Sequence, residues 1–296
     1  MADCPPFWTA FFQTREVDLC PDAGTTWDVA TAAFSGATVD VSGLSTELRG
    51  FDFNSDGSVL YVVAGGFGSS VVYKFTLSAP FELSTATYSG VSAAIGTRGS
   101  AAIVVDNADT QIYIGGQGFD SDEILQYVMP SAGDLGATSS AGNGLFLFSG
   151  NPYYITGAYI TPDGLRLFLS GVNGGGLEGG DPPAVYQYSM STAWDTSSAS
   201  YDGVSYAPAP WDSNPGDAYF KPSGDRMFLL TAALTGGVVT QYPVASPMDL
   251  STVGAESGSF DASAQVSTPL AVRFDAGGTR MYIADGFSAT IYQYTL

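Results

Sequence analysis

Apolar and polar positions along the chain recur in a fixed frame. The segments "FDFNSDGSVLYVV", "AIVVDNADTQIYIG", "AYITPDGLRLFLS", "AYFKPSGDRMFLL" and "VRFDAGGTRMYIA" align without gaps. In each, an apolar residue (Phe53, Val105, Ile160, Phe220, Phe274) is followed eight positions later by an aromatic one (Tyr61, Tyr113, Phe168, Phe228, Tyr282). Short apolar runs rich in β-branched and aromatic residues, split by Asp-Gly or Ser-Gly stretches, predict two strands joined by a tight turn.

A third strand follows each pair: "VYKFTL", "ILQYVM", "VYQYSM", "VTQYPV" and "IYQYTL", with its aromatic at Phe75, Tyr127, Tyr188, Tyr242 and Tyr294. Seven residues after the first four of these aromatics stands an acid, at Glu82, Asp134, Asp195 and Asp249, opening a fourth strand. The fifth repeat lacks one, because the sequence ends at Leu296. The missing piece is at the other end, where "TWDVATAAFSG" (residues 26–36) carries Asp28 in the acid's place and Gly36 where the other repeats have Gly90, Gly142 and Gly203. An N-terminal strand that completes the last sheet closes a ring and hides its edges. The predicted fold is therefore all-β, a five-bladed β-propeller over residues 25–296, its last blade made of 267–296 plus 25–36, with 1–24 as a separate arm. A β-sandwich, the alternative, has no need of matching strands at both ends.

The "PDG-x-R-x-[YF]-[IVL]" pattern of "TPDGLRLFL" and "AGGTRMYIA" resembles the blades of YVTN- and lactonase-like β-propeller repeat proteins. That resemblance implies blade architecture and specifies no activity.

Charge narrows the function. With 29 acidic against 9 basic side chains the net charge is −20, which repels nucleic acid and anionic membrane surfaces. No His is present, removing the usual general base near neutral pH and the commonest metal ligand. No cofactor and no metal are expected: "DNADT" and "FNSDGS" fall short of a calcium-loop spacing and read as turns, and "GGGLEGGDPP" lacks the Lys and Ser/Thr of a phosphate loop. Cys4 and Cys20 suffice for one disulfide closing a short loop, or remain two thiols. The N-terminus has no basic, continuously apolar leader, and no apolar run reaches the ~18 residues that span a membrane.

Aromatics repeated in every blade are expected to pack between blades, and Asp28, Glu82, Asp134, Asp195 and Asp249 to fix the turn into the outer strand by accepting from backbone N–H groups. Function is sought where the repeats differ. The interval between the second- and third-strand aromatics is 14, 14, 20, 14 and 12 residues, and inter-blade connections vary too. Both classes emerge on one side of the disc, so binding is expected there. The candidates are Phe67, Phe119, Asp120, Asp122, Tyr153, Tyr154, Glu178, Asp181, Trp211, Asp212, Asp285 and Phe287, aromatic rings to stack on and acceptors to orient hydroxyls. Folding of these aromatics onto the disc as loop anchors is the competing reading. An acidic pair such as Asp52 and Asp217, near the channel, resembles glycosidase chemistry, though its members hold non-equivalent strand positions. The arm "PPFWTAFF", with Phe7, Trp8, Phe11 and Phe12, is read as an anchor to a neighbouring subunit or as a plug across the uniform face.

The expectation is a non-enzymatic binding and assembly module: a phage virion surface protein (tail, fibre or capsid decoration), partnered with virion proteins or itself through the arm and with a host glycan or protein through the loops. The alternatives are a lectin-like propeller, cytoplasmic or extracellular, and a lactonase- or glycosidase-like enzyme.

Overall fold

In the computed structural model, residues 26–66, 70–95, 99–116, 122–147, 152, 154–172, 183–208, 214–233 and 236–296 are described. The arm, with Cys4, Cys20, Phe7, Trp8, Phe11 and Phe12, lies outside them.

Five four-stranded antiparallel sheets form a ring. From the axis outward, blade 1 consists of Leu48–Phe53, Val59–Ala64, Ser70–Leu77 and Ala86–Ile95. Blade 2 has Ser100–Val105, Gln111–Gly116, Asp122–Val128 and Ser139–Leu147, and blade 3 has Tyr154–Ile160, Arg166–Val172, Ala184–Met190 and Ala199–Tyr206. Blade 4 has Asn214–Phe220, Arg226–Ala233, Gly236–Pro243 and Gly258–Asp261. Blade 5 has Pro269–Phe274, Arg280–Asp285 and Thr290–Thr295, and takes its outer strand from Ala33–Asp40. That strand pairs antiparallel with the last, Phe34 opposite Tyr294 and Asp40 opposite Thr290. The fold is thus the expected five-bladed β-propeller, closed by the N-terminal strand, which runs on to Asp40 rather than stopping at Gly36.

Each hydrophobic cluster joins two neighbouring blades, because a sheet with two apolar faces buries them only against other sheets. Tyr282 of blade 5 meets Phe53 of blade 1 at 4.8 Å between ring centroids, Phe168 meets Phe220 at 4.3 Å, and Phe228 meets Phe274 at 4.3 Å. The arginine of the PDG-x-R pattern has the same use: Arg166 donates to the Met248 carbonyl of blade 4, Arg226 to the Trp27 carbonyl of blade 5 at 2.5 Å, and Arg280 faces Glu82 of blade 1 at 3.5 Å.

The turn acids divide. Asp28, Asp195 and Asp249 accept from the amides of Ala30, Ser197 and Ser251 at 3.0–3.1 Å, capping one-turn 3-10 helices as expected. Glu82 and Asp134 make no such cap bond. Glu82 is too long for the two-residue loop and reaches Gln293 and Arg280 instead.

The residue before each of these acids covers the turn between the first two strands of its own blade. Trp27, Phe81, Trp194 and Met248 adopt positive φ of 59–65°, a conformation costly for large side chains. Their amides donate to Gly278, Gly57, Gly164 and Gly224 carbonyls at 2.7–3.0 Å. Their side chains leave no room on those glycines: a Cβ on Gly164 would sit 2.3 Å from the Trp194 ring. Blade 2 exchanges the roles. Asp109 holds the positive φ of the turn (57°), and the covering residue is Gly133, so the side chain comes from below instead of above. The freed carboxylate accepts from Tyr61 Oη of blade 1 at 2.7 Å.

A third-strand polar residue clasps the next blade. The side-chain oxygens of Gln293, Gln187 and Gln241 accept from the amides of Leu83, Leu250 and Val29 at 2.8, 2.9 and 3.3 Å, and Lys74 donates to the Gly133 carbonyl at 2.6 Å. The clasp is incomplete between blades 2 and 3. There Thr196 stands in the buried position that Val29, Leu83, Leu135 and Leu250 fill elsewhere, and its Oγ1 and the Gln126 Oε1 both lack a partner among the described residues.

Two outcomes follow from this packing. Gly164→Ala should cost about 2–4 kcal/mol, from backbone strain and overpacking, and much less in a Trp194→Gly background, a coupling that a urea-denaturation double-mutant cycle reads directly. Thr196→Val, by removing an unpartnered buried hydroxyl, should stabilise the protein by about 1 kcal/mol, seen as a higher urea midpoint at unchanged slope.

Candidate functional site

The innermost strands of a propeller present a free backbone edge to the axis, and those amides and carbonyls need partners. Register defines the groups that meet there. Asp52, Val104, Tyr159, Tyr219 and Arg273 are equivalent, each lying opposite its blade's second-strand aromatic: Tyr61, Tyr113, Phe168, Phe228 and Tyr282. One rung further from the strand-joining turn are Gly50, Ala102, Gly157, Asp217 and Ala271. Four of these five are Gly or Ala, which leaves the axis open to a long side chain. Gly157 in particular has no space, since a Cβ there would fall 2.3 Å from Asp217 Oδ1.

Arg273 fills that space, 3% exposed. Its Nε donates to Asp52 Oδ1 at 3.1 Å, Nη1 to Asp217 Oδ2 at 2.5 Å and to the Val272 carbonyl at 2.8 Å, and Nη2 to the Ile103 and Ala158 carbonyls at 3.1 and 3.3 Å. The acceptors belong to blades 1, 4, 5, 2 and 3, so one guanidinium, using the five donors of its planar fork, touches every blade. The carboxylates complete the edge: Asp52 also accepts from the Val105 amide at 3.0 Å and Asp217 from the Val272 amide at 3.1 Å.

Burial pushes the Asp217 carboxyl up, to about 6, against the opposing pull of Arg273 and of two backbone amides. Asp52 moves in the same direction for the same reason. Burial also works against the charge on Arg273, but the two carboxylates, Asp217 foremost, outweigh it and hold its proton more tightly than water would. The acidic pair singled out in the sequence is real in space, and both members are committed to this strut.

The loop-face candidates are scattered by comparison. Phe67, Phe119, Asp120, Tyr153, Glu178, Asp181, Trp211 and Asp212 lie outside the described residues. Asp122 and Asp285, expected as displayed acceptors, are instead buried, at 1% and 2% exposure. Asp122 takes the Ile155 amide of blade 3, and Asp285 the amides of Ser267, Thr268 and Phe287 at 3.0–3.1 Å. A carboxylate that ties down two connections at once is driven inward by the amides it satisfies. Phe287 is 85% exposed, beside a shallow depression between Leu48, Arg49 and Leu270, and Tyr154 is exposed at 38%. Among the described residues no group of three or more His, Cys, Asp or Glu is placed to hold a metal ion, and no helix is long and apolar enough to cross a membrane.

A second feature went unread in the sequence. On the face of the strand-joining turns, outside Arg273, a funnel of about 190 Å³ is lined by Asp52, Phe81, Tyr159, Trp194 and Tyr219 among others. Its signal was present: in four of the five blades the rung before the repeated apolar residue is Asp, Tyr, Tyr or Arg, and only Val104 is aliphatic.

Ring, closure and strut together define the class, a five-bladed β-propeller with a filled axis. No family model matches the chain, and no curated protein is similar to it. Solved structures similar in fold include the periplasmic gluconolactonase of Pseudomonas aeruginosa (14% identity, TM-score 0.49, covering 80% of this chain and 64% of that one). A functionally unknown protein from Desulfotomaculum acetoxidans DSM 771 (13%, 0.48, 80% and 62%) and a protein from Lactobacillus plantarum (17%, 0.46, 80% and 63%) are others. The chain spans under two thirds of the length of each of these three.

Removing one member of a buried ion pair strands the rest. Arg273→Met should cost about 3–5 kcal/mol, and the triple variant Asp52→Asn, Asp217→Asn, Arg273→Met should recover a large part of that loss. Denaturation midpoints of the two variants, compared with the parent, check both.

Proposed function

We propose that the protein is a non-enzymatic binding and assembly module: a closed disc that presents recognition loops on one face and fastens to a larger particle through the arm of residues 1–24. One observation carries this reading. The acidic pair at the axis, Asp52 and Asp217, is bonded to Arg273 and to backbone amides, so neither carboxylate is poised as a general base or nucleophile. Their chemistry is mechanical, joining blades.

The finer form of the reading is a virion surface protein such as a tail, fibre or capsid-decoration component. It is supported by the acidic, Lys-poor composition and the dense aromatic patch Phe7, Trp8, Phe11 and Phe12 outside the repeats. Partners would be other virion proteins or a second copy through the arm, and a host glycan or protein through the loops. A lectin-like alternative draws on Phe287, a ring 85% exposed on the loop face.

Light scattering on the full chain, parent against the combined Phe7→Ser, Trp8→Ser, Phe11→Ser, Phe12→Ser variant, separates these readings. An assembly that becomes monomeric in the variant is the expected result. Monomers in both would remove the arm's role and leave a soluble binding protein.

A further inference from the structure

The funnel described above lies on the face opposite the variable loops, and nothing in the proposed assembly role uses it. Its electrostatics are lopsided. The Arg273 guanidinium bonds the carbonyls of Ile103 and Ala158 and the carboxylate of Asp217, all one or two residues further from the strand-joining turns than the funnel's own rung. Its positive end is therefore drawn to the far side of that rung. Asp52, by contrast, remains at the funnel floor and is the most exposed of the three, its side chain at 16% against 4% for Arg273 and 1% for Asp217. The charged groups that line the funnel are two carboxylates, Asp52 and Asp106, and one guanidinium, Arg273, so the lining is net negative.

The walls are aromatic. Tyr159 and Tyr219 stand at adjacent places on the rung, ring centroids 5.2 Å apart and planes at 70°, with Phe81 and Trp194 further out. Tyr159 is only 8% exposed, yet its hydroxyl, like that of Tyr219, makes no hydrogen bond among the described residues; both line the funnel. Burial pushes both phenols well above their usual range, so they stay neutral and offer hydroxyl lone pairs rather than charge, while their rings also pack against Phe220 (Tyr159) and Phe274 (Tyr219). Of the other charged groups on the turns around the opening, Asp106 is committed to Thr110 and Gln111, Asp163 caps its own turn, and Asp275 bonds Thr279 and faces Arg280 at 3.6 Å, while Lys221, the one cation at the equivalent turn position, pairs with Asp225 at 3.7 Å. Among the described residues Arg273 is the one cation that lines the funnel. A concavity lined by aromatic residues and two unbonded phenol hydroxyls over a carboxylate, in a chain of net charge −20, attracts a small cation.

We propose that the funnel is a binding site for one small organic cation of the alkylammonium class, its charged head against Tyr159 and Tyr219 above Asp52. Choline is the probe, and 3,3-dimethylbutan-1-ol, the same shape with carbon in place of nitrogen, is its neutral counterpart. Both are titrated against the full chain by ligand-observed NMR at about 0.5 M sodium chloride, where diffuse attraction to the acidic surface is screened. Saturable choline binding, at least about tenfold tighter than that of the alcohol, is the expected result. Tyr219→Leu should weaken it about tenfold or more. Ala276→Lys, which sets an ammonium at the exposed rim without touching the packing, should abolish it, whereas Phe287→Ala on the opposite face should leave it intact. Ala276→Lys stands as the deciding variant if Tyr219→Leu fails to fold. No saturable binding, equal binding of the neutral alcohol, or choline binding that survives Ala276→Lys would each overturn the proposal.

Discussion

A five-bladed ring has to do something with its axis. Inner strands expose unpaired amides and carbonyls there, the space is too narrow to be left wet without cost, and no second sheet exists to cover them. Arg273 resolves this with one side chain, because a guanidinium carries five donors in a plane and five blades surround it. The surrounding sequence is subordinate to that fit: Gly50, Ala102, Gly157 and Ala271 are small so the fork can lie across the axis, and Asp52 and Asp217 supply counter-charge where a lone buried cation would be unsustainable. Such a strut contributes more to uniqueness than to raw stability. An apolar filling of the same volume has no geometric preference among blades, whereas this one bonds each blade at a named atom.

Away from the axis the blades are joined by devices that repeat with small exceptions, and the exceptions are informative. The Asp109–Gly133 exchange in blade 2 preserves the hydrogen bond between turn and covering residue, at 2.8 Å, while inverting which partner carries a side chain. The constraint is therefore volume: one side chain fits between turn and cover, from either direction. Thr196 is a different kind of exception, since it stands where the clasp at one inter-blade joint is incomplete and two buried polar atoms have no partner among the described residues. That joint, between blades 2 and 3, is held instead by Tyr113 Oη donating to the Trp194 carbonyl at 2.6 Å and by Asn107 donating to the Pro162 carbonyl at 2.6 Å.

Much of this was legible in the sequence. The eight-residue spacing, the third-strand aromatic and the acid-led outer strand found all five blades, and the stranded "IYQYTL" with its counterpart near residue 34 found the closure. Periodic features are readable because each is stated five times. The site was harder for the converse reason. Arg273 is a single cation inside the apolar run "PLAVRF", and whether such a residue points at solvent, at a neighbour or down an axis depends on the closed ring and on no local pattern. Asp122 and Asp285 misled in the same way: an acid in a Gly- and Ser-rich loop reads as displayed, but unpaired amides nearby turned each of them inward.

The asymmetry between the two faces also changes meaning. Constant turn length on one face and variable connections on the other suggested that recognition belongs to the variable face alone. The structure supplies a mechanical cause for the constancy. Each strand-joining turn is hydrogen-bonded to the residue that leads into the outer strand and, in four blades, sterically filled by it, with Asp109 of the turn supplying the side chain in blade 2, so insertion or deletion there would break an interlock present in every blade. Uniform length thus reports packing, and it says nothing against a binding role for that face. The blades vary on this face in side chains and not in length, within the interlock at Asp109 and Gly133 and, clear of it, at the rung of Asp52, Tyr159, Tyr219 and Arg273. With the guanidinium closing the axis between them, the two faces are separate surfaces on one rigid disc, each free to carry its own partner.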